Sequence, residues 1–211
     1  MHHLFLVRHG TTQWIEERRV QGATDSPLSD RGLEEARCAA QNLAEIPFDA
    51  VFCSPMGRAR QTAAVICGAR NLPIEYLDEL REIDLGIYEG YAYVEPPQGG
   101  LTRWMKIKLA AMMLIAQVSG ESIARVKKRA AHAWEKISAA QPGGRVLVVA
   151  HGFILNALLA HLLPKEEYRL LKFVNLHPCA LTELTVPAPG LANLVRLNDC
   201  DHLPPGRRPF S

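Results

Sequence analysis

The stretch LFLVRHGTTQW runs four apolar residues, Leu4 to Val7, straight into an arginine, an imidazole and a glycine. Two later stretches repeat that ending. VFCSPMGRAR carries Arg58 and Arg60 just past a short apolar run, and VLVVAHG finishes on His151 and Gly152. Guanidinium forks match the oxygens of a phosphoryl group and stay charged at any relevant pH. A helix opening at Gly152 adds free backbone N–H groups and the positive end of a dipole. A histidine among arginines has its cation disfavoured, so it stays neutral and nucleophilic near pH 7. Phosphoryl transfer needs mainly positioning and charge neutralisation, which this set supplies without a metal. An acid for the leaving oxygen is also needed. ELREIDLGIYEG offers Glu79, Glu82, Asp84 and Glu89, any of which would protonate a departing alkoxide and later take a proton from water. Taken singly, His9 reads as a structural histidine and Arg58 as a surface cation; the joint placement carries the reading.

The apolar runs are what must bring these residues together. HLFLV, DAVFCSP, LPIEYL and GRVLVVAHG read as strands, the last buried on both faces because it is apolar from Val146 to Ala150. Helical patterns lie between them. LSDRGLEEARCAAQNLAEI puts Leu33, Ala36, Ala40, Leu43 and Ala44 on one face, MGRARQTAAVICGAR opens a second helix, and FILNALLAHLL is a third that Pro164 ends. CALTELTV and NLVRL alternate enough for strands near a sheet edge, and the segment that follows HLFLV, as far as Pro27, reads as a polar loop. This alternation predicts an α/β fold, a three-layer α/β/α sandwich with a mostly parallel central sheet. Ligands in such folds bind outside the carboxyl ends of the strands, where Arg8, His9, Arg58 and His151 fall. From about Gly90 to Gly120 the pattern breaks into a turn-rich start and an apolar helix, an inserted lid-like segment in an otherwise single domain over 1–211.

Bulk properties exclude several classes. With 48% hydrophobic residues, 22% charged and a net charge of +2, the chain is an ordinary globular protein with no global field for nucleic acid. No apolar stretch is long enough to span a bilayer or to form a signal-peptide core. Five cysteines without a CxxC pair read as reduced thiols, hence a cytoplasmic protein. His2, His3, His132, His161, His177 and His202 have no metal-ligand spacing, so neither a metal nor another cofactor is expected. A homodimer through an edge strand stays open, and the tail DHLPPGRRPFS reads as extended.

The ordered set LVRHGTTQW, QGATDSPLSDRGLEEA, VFCSPMGRARQTA, LREIDLGIYEG, GES and VLVVAHG resembles the histidine phosphatase superfamily, the phosphoglycerate mutase-like proteins. The resemblance implies a phosphoglycerate mutase-like fold and His9 as the phosphate acceptor, passing through a phosphohistidine. It further implies that Arg8, Arg58 and His151 bind the phosphoryl group and that Glu82 is the proton donor. Gln21 and Gly22 lie where family members contact substrate, and Thr11 and Thr12 add hydroxyl donors in the loop after His9.

Departures from the family pattern narrow the activity. Ile15 stands where many relatives have asparagine, so one phosphate contact is absent or replaced, the only feature that leans toward a non-catalytic binding protein. Gln21 stands where mutases favour threonine, and Phe153 where they favour asparagine. Ile83, Asp84 and Leu85 replace the mutases' basic and aromatic pair. The groups a mutase needs to retain its substrate are thus not visible, and the expected function is a metal-independent phosphomonoesterase acting on a small phosphorylated metabolite. Broad-specificity phosphatases and α-ribazole phosphatases are both similar in these motifs. A phosphoglycerate mutase and a non-catalytic phospho-ligand binding protein are the alternatives. Trp104, Met105, Met112 and Met113 would give a leaving group a soft apolar wall, or simply pack.

Overall fold

Runs of alternating and continuous apolar residues become the strands of one sheet. In the computed structural model, which describes residues 1–68, 70–93, 103, 107, 111, 114–116, 118–141, 143–171 and 173–205, these are β1 (His2–Arg8), β2 (Ala50–Cys53), β3 (Ile74–Tyr76), β4 (Gly144–Ala150), β5 (Leu181–Val186) and β6 (Asn193–Asp199). Their order is β3-β2-β4-β1-β5-β6. The first four are mutually parallel, whereas β5 and β6 run antiparallel at one side. A mostly parallel sheet with two late strands at its margin is therefore what forms.

Side chains on a strand alternate between faces, and each face has its own helices. Leu4, Leu6, Val146 and Val148 pack with α4 (Ile123–Ala140) and α5 (Gly152–Leu162), through Val126, Ala130, Trp134, Ile154 and Leu158. Phe5, Val7, Leu147 and Val149 pack with α2 (Asp30–Asn42) and α3 (Gly57–Gly68), through Ala36, Ala39, Ala59, Ala63 and Ile66. The result is the three-layer sandwich. Each large side chain buried this way contributes roughly 1.5–3 kcal/mol, so the two faces hold the strand ends firmly.

Several details differ from the sequence pattern. The loop after His9 contains a short helix, α1 (Gln13–Glu16), capped by the Thr12 hydroxyl, which accepts from the Ile15 amide. In α2 the buried face is Gly32, Glu35, Ala36 and Ala39, with Leu43 next, whereas Ala44 is exposed. A buried carboxylate, Glu35, rotates the face away from the one that apolar spacing selects. Two further helices, α4 and α6 (Lys165–Leu171), are not among those expected above. Cys53, Cys67, Cys179 and Cys200 are buried and all five cysteines are free. The tail packs as far as Leu203, which is buried, and the His202 Nε2 lies 3.0 Å from the Cys179 carbonyl oxygen. Among the described residues, no helix is long and apolar enough to cross a membrane. Most of the lid-like segment, including Trp104, Met105, Met112 and Met113, lies outside the described residues.

One close approach fixes the loop after β1. A Cβ built on Gly32 would overlap the Thr11 carbonyl oxygen, and one on Gly10 would overlap the Gly32 carbonyl oxygen. Gly32→Ala should therefore destabilise the protein by about 1–3 kcal/mol despite alanine's better helix propensity. A lowered thermal midpoint tests this; an unchanged or raised one would contradict the packing described.

Candidate active site

Register places the two central imidazoles. β1 and β4 pair with Arg8 opposite Ala150, and the His9 amide donates to the Ala150 carbonyl at 3.0 Å. His9 and His151 thus leave adjacent strand ends with ring centroids 5.1 Å apart. β2 enters beside them: the Ser54 amide donates to the Val149 carbonyl at 3.0 Å, and the next helix, α3, begins with Gly57 and Arg58. Arg58 is 1% exposed, His9 2% and His151 0%, so two imidazoles and a guanidinium share one dry site.

Hydrogen bonds settle the tautomers. The His9 Nδ1 lies 2.8 Å from the Gly10 carbonyl oxygen, which only accepts, so Nδ1 carries the proton and Nε2 presents its lone pair. The Arg58 Nε donates to the His9 Nε2 at 3.2 Å and to the His151 Nδ1 at 3.2 Å. His151 is left to donate through Nε2 to the Ser54 hydroxyl at 2.7 Å. One N–H divided between two acceptors is a weak bond to either.

Arg8, His9, Gln21, Arg58 and Glu82 line one cavity of about 190 Å³, whose lining Ile15, Val20 and Tyr93 help complete. Two donors there, the Arg8 Nε and the Gln21 Nε2, are buried without a partner among the described residues. Buried donors without partners are costly, which makes this cavity a receptor for acceptor oxygens. Arg8 is aimed by its Nη1, which donates to the Leu176 carbonyl at 2.6 Å. The loop that presents Leu176 is held from both sides. Asn156 bonds Val174 at its amide and carbonyl, and Asn198 accepts from the His177 amide.

Of the four candidate carboxylates only Glu82 faces this cavity. Glu79 pairs with Lys136 at 2.7 Å, Asp84 accepts from the Gly86 amide at 2.7 Å, and Glu89 accepts from the amides of Ala23 and Thr24 at 2.7 Å each. Glu82 is 8% exposed and accepts from the Phe153 amide at 3.1 Å and the Ile154 amide at 3.3 Å. The first-turn N–H groups of α5 that the sequence suggests for a phosphate are therefore engaged by Glu82 instead. A fixed carboxylate satisfies the dipole end of the helix and is oriented by it.

The remaining expected residues divide. Gln21 accepts from the Thr12 hydroxyl at 2.9 Å, and the Gly22 carbonyl accepts from the Arg58 Nη2 at 2.7 Å, so Thr12, Gln21 and Gly22 all border the site. Thr11 stands apart. Its amide and hydroxyl donate to buried Glu35 at 2.8 and 3.0 Å, so its hydroxyl props the loop. Arg60 stacks on Tyr76, 5.0 Å from the ring centroid. Ile15 puts an apolar side chain into the cavity wall.

Supporting carboxylates escaped the sequence reading. Asp25 accepts from the Gly57 and Arg58 amides and from the Arg58 Nη1 at 3.2 Å, capping α3 and neutralising its buried arginine together. Nothing in spacing links residue 25 to residue 58. Glu35 had a signal, the i,i+4 pair with Arg31 at 2.8 Å, but no hint of burial. Glu89 is half-buried, which opposes ionisation, yet the Thr24 hydroxyl and the amides of Leu85, Ala23 and Thr24 hold its pKa below the usual range.

Burial, more than the guanidinium charges of Arg58 and Arg8, holds His9 well below the ordinary histidine pKa, and the Gly10 contact only partly opposes it. His151 is depressed for the same reasons, burial first and Arg58 next. Desolvation also lowers Arg8 and Arg58, with Glu82 opposing, and a guanidinium shifted so still keeps its charge. Among the described residues, no three His, Cys, Asp or Glu side chains are grouped to hold a metal ion.

The chain has relatives among known proteins. A sequence model of the histidine phosphatase superfamily (branch 1) matches residues 4–200. Over 174 residues the chain is 32% identical to an Escherichia coli protein named "Probable phosphoglycerate mutase GpmB", covering 82% of this chain and 80% of that one. YhfR of Bacillus stearothermophilus superposes with a TM-score of 0.78 at 28% identity, over 96% of this chain and 99% of its own. The α-ribazole phosphatase of Shigella flexneri follows with a TM-score of 0.75 at 25% identity, over 93% and 96%.

The neutral imidazoles leave a pH signature. Below the unfolded value of 6.5, down to the lowered native pKa, the unfolded chain binds protons that native His9 and His151 refuse. Stability therefore rises with pH across that window and is lost as pH falls below about 6.5. Denaturant midpoints of His151→Gln between pH 7 and 5 should show a flatter acid limb, by up to about 1.4 kcal/mol per pH unit. An unchanged slope would contradict a neutral His151.

Proposed function

Because the chain belongs to the histidine phosphatase superfamily, we propose that it is a phosphomonoester hydrolase working through a phosphohistidine at position 9. The single observation that carries this reading is the His9 Nε2 lone pair, held in a cavity with two guanidinium groups and one carboxyl. A phosphoryl group entering there meets the unpartnered Arg8 Nε and Gln21 Nε2. It also draws the Arg58 Nε away from its divided bond.

The His9 Nε2 attacks phosphorus, a P–N bond forms and the P–O bond to the leaving group breaks. Glu82 gives its proton to the departing oxygen. It then takes one from water, which attacks phosphorus, releases phosphate and returns His9 to its neutral state. Charge on the equatorial oxygens is met by Arg8 and Arg58, with His151 behind them as an acceptor for the Arg58 Nε, and this is the main catalytic effect available to such a site. The reaction draws on these side chains alone and uses no metal or organic cofactor. The substrate is a small phosphorylated metabolite, as for the broad-specificity and α-ribazole phosphatases the motifs resemble. Tyr93 lies where the segment after Gly90 begins, and that segment is tied to the cavity by the Val20–Tyr91 and Tyr93–Arg18 backbone bonds, at 2.9 and 2.8 Å.

A phosphoglycerate mutase is the second reading, favoured by the name of the Escherichia coli relative. Assay with 3-phosphoglycerate and a bisphosphoglycerate primer separates it from the first. Ile15 in the wall and Phe153 at the start of α5 favour hydrolysis, since neither holds a free carboxylate.

Release of phosphate from an aryl phosphate should persist in EDTA and vanish in His9→Ala, with acid-labile label on His9 in rapid quench. A requirement for a divalent ion, or full activity in His9→Ala, would overturn the mechanism. Glu82→Gln should lower kcat/KM for an alkyl phosphate by about 10²–10⁴-fold and that for an activated aryl phosphate far less. Equal losses would remove Glu82 from the acid role.

A further inference from the structure

Arg129, on α4, is not part of the cavity lining, yet its guanidinium is wholly engaged beside the segment that bears Glu82. Its Nη1 donates to the carbonyl oxygens of Glu79, at 2.9 Å, and of Arg81. Its Nη2 reaches the Glu82 carbonyl at 3.4 Å, and Nε and Nη2 grip the two oxygens of Glu121 at 3.0 and 2.6 Å. Every N–H of the planar fork therefore has an acceptor. Arg129 and Glu121 are mostly buried, with side-chain exposures of 19% and 17%, so the pair is partly shielded from water.

The segment it grips has little regular structure of its own. Residues 78–80 form one 3-10 turn and the chain then runs irregularly to Asp84, so its carbonyls need partners from elsewhere. Glu121 is itself anchored: its amide donates to the Asp84 carbonyl at 2.8 Å, and a Cβ on Gly120 would overlap that carbonyl. Gly86 adopts φ +59° there, with Ser119 against it. α5 holds the Glu82 carboxylate by two amides, and Arg129 holds the main chain on the other side of the same residue.

We propose that Arg129 is a positioning residue for proton transfer: its bonds to the 79–82 carbonyls and to Glu121 set where the Glu82 carboxyl meets the leaving oxygen. This rests on the hydrolytic reading, through the role of Glu82. A displaced Glu82 slows phosphohistidine formation only where the leaving oxygen needs a proton, whereas its later removal of a proton from water is common to all esters. The first of these steps is what kcat/KM reports, and a misplacement near 1 Å costs up to about a hundredfold.

The test compares Arg129→Gln with the wild type on an alkyl phosphate, whose leaving group needs a proton, and para-nitrophenyl phosphate, whose leaving group does not. For the alkyl ester kcat/KM should fall about tenfold to a hundredfold. For the aryl ester kcat/KM should fall less than about twofold, with inhibition by inorganic phosphate unchanged. In the Glu82→Gln background Arg129→Gln should cost nothing further on the alkyl ester. Glu121→Gln should give the same split at smaller size, and it decides the question if Arg129→Gln does not fold. Equal losses on both esters, no loss on the alkyl ester, or additive losses with Glu82→Gln would overturn the proposal. A wild-type protein that hydrolyses neither ester would instead overturn the hydrolytic reading itself.

Discussion

A guanidinium buried at a sheet edge is the constraint on which the site depends. Arg58 is withdrawn from water and can remain charged only if each of its donors finds an acceptor. Asp25, the Thr24 and Gly22 carbonyls, and the two imidazoles provide them. Three consequences follow from that one placement. Asp25 becomes both helix cap and counter-ion, the loop from Gly22 to Asp25 wraps the arginine, and His9 and His151 turn their unprotonated nitrogens toward it. The same burial that makes the charge costly keeps both histidines neutral, so the buried guanidinium and the uncharged imidazoles are products of one desolvated environment.

The carboxylates around this centre do different work because their partners differ. Glu82 meets the start of α5, Glu89 meets the loop 22–24, and Glu35 meets the amide of Thr11. Each satisfies backbone donors that would otherwise be buried without partners. Glu82 alone also borders the cavity, which is why a group that stabilises a helix end is available for chemistry. The arrangement has a cost, since the helix terminus is no longer free for an anion, and the donors left at the cavity are those of Arg8, Arg58 and Gln21.

Much of the fold was legible because its signals are local. Continuous apolar runs marked β1 and β4, alternation marked β5 and β6, and helical spacing marked α2, α3 and α5. The rule for parallel sheets then put Arg8, His9, Arg58 and His151 at one edge, and the register of β1 against β4 brings the imidazoles side by side. Where that reading missed, a long-range contact had intervened. Glu35 is buried because Thr11 and Arg31 bind it, and Thr11 turns from the cavity for the same reason. α4 was passed over although Val126, Ala130, Ala133, Trp134 and Ile137 follow helical spacing.

Sequence by itself determined which residues could handle a phosphoryl group and at which strand ends they would stand, because strand period and chain order are local properties. Tertiary structure alone decided which nitrogen of His9 is free, which of four carboxylates reaches the cavity, and which of them is a prop. Those outcomes depend on acceptors and donors contributed from distant parts of the chain, such as Asp25 for Arg58 or Phe153 for Glu82, and no spacing rule encodes such pairings.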